Sequence, residues 1–299
     1  MGELAGVLAA MLSSALGGSS IAATRYLAAT VDPLTIGAFR FGGGVLLLLP
    51  VALLQGGRWP ARRDWAGVGA LGLLFFGVFP VLFNAALAYT TAARGALALS
   101  TLPLLTMLAG ALLRVEALTV RKTLGVLLAM AGVAVALLAG LSGAPVDAWR
   151  GDLLMVGAAL CMALYNVWSK PFIQRSGPIP FTAMGMAAGA TLLVLVAGIN
   201  DGFAVVAAFG TGHWLAVGFL GLFGSAVTFF LWAFALGRTT PTRVAISVTV
   251  NPIMASILGA TLLGEPLRWN VIVGLLTVFL GISIATTTAR FGRTKSRPD

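Results

Sequence analysis

Apolar residues run through this chain in blocks of spanning length, and charges are confined almost wholly to the short gaps between them. Residues 4–24, 65–93, 95–113, 123–146, 153–169, 176–200, 214–237, 244–264 and 269–289 carry no Asp, Glu, Lys or Arg. A tenth block, 34–54, is interrupted only by Arg40. A helix needs about 20 apolar residues to cross the hydrocarbon of a bilayer, so the pattern predicts ten transmembrane helices. The gaps leave no room for a soluble domain. The expected fold class is an all-α integral membrane protein.

The pattern also repeats. Slid against itself by 149 residues, the chain places Trp65 on Trp214, Gly72 on Gly221, Arg94 on Arg243 and Pro103 on Pro252. Gly110 then falls on Gly259, Glu116 on Glu265, Gly125 on Gly274 and Gly132 on Gly281. Gly2-Glu3-Leu4 lands on Gly151-Asp152-Leu153, with a slip in register between roughly residues 20 and 45. Five spans per half is an odd number, so the second half enters the membrane from the side opposite to the first. The expected organisation is a first five-helix repeat over 1–145 and a second, inverted one over 146–289, with a tail over 290–299. Inverted repeats suit alternating access, because exchanging the conformations of the halves turns an outward cavity into an inward one.

Composition agrees with the membrane assignment. The chain is 59% hydrophobic and 9% charged, against about 25% charged in soluble domains. The first apolar block does not read as a cleaved signal peptide, since Glu3 stands where Lys or Arg is expected and the block is of full spanning length. Cys161 is the sole cysteine and lies within a span, which excludes an internal disulfide. The net charge of +10 is not one patch. With a cytoplasmic N-terminus, inner loops and tail hold Arg58, Arg62, Arg63, Arg114, Arg121, Lys122, Lys170, Arg175, Arg238, Arg243, Arg290, Arg293, Lys295 and Arg297. Outer loops and spans keep Arg25, Arg40, Arg94, Arg150 and Arg268. This bias places both termini in the cytoplasm of a bacterial inner membrane. The tail from Arg290 to Arg297 reads as contact with anionic lipid, with no need to invoke nucleic acid.

On these residues the chain resembles the drug/metabolite transporter superfamily, EamA type, over its whole length. The recurring unit is a Pro-bearing fourth helix, a loop with Glu and a Gly-punctuated fifth helix. It reads Pro103, Arg114-Val115-Glu116-Ala117-Leu118, Gly125 and Gly132 in the first copy. The second copy reads Pro252, Gly264-Glu265-Pro266-Leu267, Gly274 and Gly281. The first copy departs by having Arg114-Val115 where the second has Leu263-Gly264. Length and aromatic-rich spans look most like the bacterial aromatic amino-acid exporters. The resemblance implies that helices five and ten pack at the periphery and leave the cavity to others.

Candidate site residues follow from what a bilayer tolerates. Pro103 and Pro252 fall near the middle of their spans. Proline removes a backbone donor and displaces the carbonyl four residues earlier, which frees those of Leu99 and Val248 beside Ser100-Thr101 and Thr249-Val250-Asn251. Such backbone needs a cavity or neighbours to satisfy it. The prolines act as hinges lining a substrate cavity, with Thr101 and Asn251 offering hydrogen bonds, or they only bend helices to fit. Aromatic residues concentrate on two repeat-related spans: Phe75, Phe76, Phe79 and Phe83 on the third, and Phe229, Phe230, Trp232 and Phe234 on the eighth. They form a wall that holds an apolar substrate body, or they are packing and lipid-facing bulk. Trp168 and Trp232 lie toward cytoplasmic ends, where an interfacial belt competes with a pocket role. Asn166 is costly in lipid and is expected inside, opposite the small polar stretch Gly17-Gly18-Ser19-Ser20. Asn84 and Tyr89 are weaker candidates near the outer end of the third span. Glu116 and Glu265 precede helices, where a carboxylate suits the helix dipole. Gly125, Gly132, Gly274 and Gly281, spaced by seven within each half, read as close-packing surfaces.

Absences narrow the function. No Asp or Glu lies within a span, so the usual carboxylate for proton or sodium coupling is missing, and so is the natural partner of a cationic drug. Facilitated diffusion or exchange is the expectation. Arg40 is the clear intramembrane cation; it attracts a substrate carboxylate, snorkels, or donates to helix-end carbonyls. No metal-ligand spacing or nucleophile set supports an enzyme, and no charged ring supports a channel. No cofactor is implied, and a monomer is the default. Three readings remain: export of amino acids with aromatic or bulky apolar side chains, export of other metabolites or drugs, or a membrane partner protein without flux of its own.

Overall fold

The computed structural model describes residues 2–115, 120, 123–128, 131–132, 146–248, 250–264, 269, 272–273, 276–277, 280 and 284. Within them the chain is all-α, and eight helices are long and apolar enough to cross a membrane. They are α1 (Gly2–Leu27), α2 (Pro33–Leu54), α3 (Arg62–Tyr89), α4 (Arg94–Leu112), α5 (Ala148–Ser176), α6 (Pro178–Ile199), α7 (Thr211–Arg238) and α8 (Pro241–Leu263). These are the expected spans one to four and six to nine. The fifth and tenth lie largely outside the described residues, as do Glu116, Glu265, Gly274, Gly281, Thr249 and the basic tail. Gly125 and Gly132 are described and buried.

Local chemistry sets the helix ends. Asp32 caps α2, its Oδ1 accepting from the N–H groups of Leu34 and Thr35 at 3.0 Å, and Pro33 follows at the first helical position. Thr91 and Thr240, related by the 149-residue offset, cap α4 and α8 by accepting from the N–H of Arg94 and Arg243, each at 3.3 Å. Gly177 ends α5 with φ 89°, and Pro178 opens α6 directly after it.

Two helices depart from α geometry at matched places. α3 is π-helical over Leu73–Val78 and α7 over Leu222–Val227, again 149 residues apart. A π turn shifts hydrogen bonding to five residues and rotates the later part of the helix relative to the earlier part. In α7 the displaced Phe223 carbonyl accepts from Thr228 Oγ1 at 2.6 Å. α4 and α8 are interrupted as well: Ser100 and Thr101 form a turn in α4, and Val248 ends the first piece of α8. Pro103 and Pro252 each come within a few residues after the break, which is where a helix lacking a donor can restart.

Contacts run mostly between the two halves of the chain. α1 packs against α7 and α8, and α5 against α3 and α4; α2 meets α7, α6 meets α3, and α2 meets α6. Exchanging α1–α4 with α5–α8 leaves this neighbour pattern unchanged. The backbones approach closely where side chains vanish: a Cβ on Gly18 would stand 2.6 Å from the Asn251 carbonyl oxygen, so no larger residue fits between α1 and α8 there. The centre is aromatic. Phe75 stacks on Tyr165 at 4.1 Å, and Phe41, Phe76 and Phe229 pack edge-on or tilted around them.

Candidate functional site

A narrow cavity of about 40 Å³, room for little more than a water molecule in this conformation, lies among the helices. α1 contributes Ser13, Ser14 and Gly17, α2 contributes Arg40, and α3 contributes Phe79 and Phe83. Thr228, Phe229 and Trp232 come from α7, and Met162 comes from α5. Leu99 and Val248, repeat mates at the breaks of α4 and α8, face it from opposite halves, and Asn251 completes the lining. The π turns are what place these aromatic side chains. Without the added residue, the halves of α3 and α7 beyond Val78 and Val227 would present other faces.

Of the residues expected from sequence, the structure brings Phe79, Phe83, Phe229, Trp232 and Asn251 onto one cavity. Asn166 stands just behind it, fully buried, its Oδ1 accepting from Trp232 Nε1 at 2.9 Å. Trp232 is therefore an interior residue, and the interfacial belt does not apply to it. Ser20 donates to the Leu16 carbonyl at 2.8 Å and lies against Gly224 of the α7 π turn, away from the lining. Asn84 donates from Nδ2 to the Pro33 carbonyl at 2.9 Å, tying α3 to the start of α2. Thr101 is buried and donates to the Ala98 carbonyl at 2.9 Å. Trp168 is 43% exposed on the outer surface of α5. Pro103 and Pro252 are buried beside the helix breaks, and the Val248 carbonyl expected to be free accepts from the Asn251 N–H at 2.8 Å.

Sequence reasoning did not single out Ser13, Ser14, Met162 or Thr228. Ser13 Oγ donates to the Thr228 carbonyl at 2.8 Å, and Ser14 Oγ lies 2.8 Å from Ser247 Oγ. These bonds fasten α1 to α7 and α8. Small hydroxyls in an apolar run signal helix contacts, but not which helix they meet.

Charged pairs sit beyond the cavity at the helix ends, and they too obey the repeat. Arg94 at the start of α4 grips Asp152 near the start of α5, Nε lying 3.1 Å from both carboxylate oxygens. The mates of these residues, Arg243 and Glu3, form an ion pair of their own at the start of α8 and α1. Because α1 to α4 follow one another through short loops and alternate in direction, the starts of α1 and α4, and with them the two pairs, lie at opposite ends of the bundle. They differ in burial: 11% and 16% of the side chains are exposed for Arg94 and Asp152, against 37% and 60% for Arg243 and Glu3. Asp64 holds Arg175 through two bonds of 2.9 and 3.0 Å, whereas His213, the mate of Asp64, packs against the Tyr26 ring at 5.6 Å.

Known proteins resemble the chain over most of its length. A protein of Pseudomonas aeruginosa is 31% identical over 295 residues, covering 96% of each chain. The uncharacterized transporter YyaM of Bacillus subtilis is 24% identical over 284 residues, covering 91% of this chain and 90% of that one. The uncharacterized inner membrane transporter YedA of Escherichia coli is 27% identical over 238 residues, covering 79% and 75%. A crystal structure superposes with a TM-score of 0.68 across 95% of this chain and 97% of its own at 21% identity, a likeness of fold. The model of the EamA-like transporter family matches twice, over residues 4–138 and 149–287. This multi-pass membrane protein belongs to the EamA-like transporter family.

Proposed function

We propose that the chain exports small metabolites by alternating access, its two five-helix halves being inverted about an axis in the membrane plane. The observation that carries this reading is the reciprocal pair of charge contacts. Arg94–Asp152 and Arg243–Glu3 join equivalent residues of the two halves at opposite ends of the bundle. Inversion makes each the image of the other, so a motion that loosens one tightens the other. In the present conformation the Arg94–Asp152 end is the tighter. Gly151 beside it is pressed against the Ala86 carbonyl and Thr90, while its mate Gly2 has open space around it. With both termini in the cytoplasm of a bacterial inner membrane, the tighter seal faces outward.

The substrates are amino acids with aromatic or bulky apolar side chains, moved by facilitated diffusion or exchange. Phe79, Phe83, Phe229 and Trp232 supply the apolar wall such a side chain packs against. The basic tail rests on anionic lipid, and one chain suffices, since the cavity is built within it. Counterflow of labelled phenylalanine, tryptophan and threonine into liposomes, with unlabelled metabolites as competitors, tests the assignment. Accumulation of phenylalanine or tryptophan is expected. Accumulation of none of the three would overturn it.

A further inference from the structure

We propose that Arg40 is the anchor for a carboxylate on the transported molecule, with Asn251 receiving an N–H of the same molecule. The inference rests on the cavity being the substrate site. Arg40 lies in the first half of α2 and is 3% exposed. Its Nε and Nη2 both donate to the Gly224 carbonyl, at 3.3 and 2.9 Å, and Nη1 has no partner. The rings of Phe41, Phe83 and Phe229 stand 5.2, 5.6 and 5.9 Å from the guanidinium carbon. No carboxylate pairs with it among the described residues.

A cation in this setting is incompletely compensated. A carbonyl and three ring faces attract it, yet they do not neutralise it, and burial without a counter-ion is unfavourable. An arriving anion therefore gains more here than in water, and the planar guanidinium suits a carboxylate.

A purely structural role for the charge fits the repeat poorly. α6, the counterpart of α2 in the second half, is charge-free from end to end. The fold thus builds this helix once with a cation and once without. Arg40 is where the first half breaks the symmetry at the cavity wall, and substrate binding is what does not need symmetry.

The Gly224 contact gives the anchor a second property. Gly224 belongs to the π turn of α7, so Arg40 links α2 of one half to a non-α segment of the other. Asn251, on α8, has an unpartnered buried Oδ1 and lines the same cavity. A donor and an acceptor on opposite halves match the carboxylate and ammonium of an α-amino acid, while the phenylalanine rings receive its side chain.

The test uses the purified wild-type protein in liposomes with labelled phenylalanine. Its competitors are 3-phenylpropanoate, which keeps the carboxylate, and phenethylamine, which keeps only the amine. 3-Phenylpropanoate is expected to compete at least about tenfold better than phenethylamine. Arg40→Gln is expected to abolish that preference, and Arg40→Lys to retain part of it. Equal competition by the two compounds in the wild type, or an undiminished preference in Arg40→Gln, would overturn the proposal. Thermal stabilisation of detergent-purified wild-type protein by the same two compounds gives a reading that needs neither transport nor a variant. A shift with 3-phenylpropanoate alone supports the anchor even if no amino acid accumulates, in which case only the assignment of substrates fails. Equal shifts, or none, reject the anchor.

Discussion

At the scale of single residues, polar groups in an apolar setting make the sharpest statements. Asn166 is fully buried, and its one bond goes to Trp232 while Nδ2 has no partner. Trp232→Phe removes that bond and leaves a whole amide unpaired. A loss of about 1–3 kcal/mol is expected, read as earlier thermal unfolding in detergent; an unchanged unfolding curve would deny the bond its role. That Asn166 and Asn251 face inward was legible in the sequence, because an amide in hydrocarbon must be satisfied. Their partners were not, since they come from helices far away in the chain. Trp232 was ambiguous for a related reason. Its depth along α7 was readable, but its direction depends on a π turn that no motif in Leu222–Val227 announces.

Helices as units were easier to read than their ends. Each described span matches a helix, yet charge-free windows undercount where charges are used inside the structure. The sixth window closes at Ser169, whereas α5 continues to Ser176 with Lys170 donating to the Thr239 carbonyl and Arg175 held by Asp64. Conversely, the window 95–113 is one apolar block but two helical pieces. Its break comes from Ser100 and Thr101 turning ahead of Pro103, and hydropathy is blind to that. Close helix packing yields a further prediction. Gly18→Leu drives a side chain into the Asn251 backbone, so α1 and α8 must part, and the monodisperse peak in detergent gel filtration is expected to be lost. Gly2→Leu, at a glycine with open surroundings, is expected to leave that peak unchanged. Both variants behaving alike would remove the packing argument.

For the whole molecule, symmetry and its violations divide the labour. On the proposed reading the matched π turns, caps, helix breaks and charge pairs belong to a moving frame, while Arg40, which has no charged counterpart on α6, and Asn166 and Asn251, which fall on Gly17 and Leu102, set what the frame carries. The repeat itself was visible in the sequence. That Glu3 meets Arg243 and Asp152 meets Arg94 was not, because the offset reveals equivalence and not contact. The carboxylates of the described spans, Glu3, Asp64 and Asp152, stand in the first turns of their helices and are each paired with an arginine, so counterflow is expected to continue at an unchanged rate when an imposed pH gradient is collapsed with an ionophore. A rate that falls with the gradient would require a proton-carrying group elsewhere. Alternating access itself is tested most directly by labelling a cavity cysteine, Met162→Cys in a Cys161→Ala background, with a membrane-impermeant maleimide from each side in turn. Asp152→Asn is expected to raise labelling from the periplasmic side severalfold, and Glu3→Gln to raise it from the cytoplasmic side. Labelling that rises on the same side in both variants, or in neither, would contradict the account.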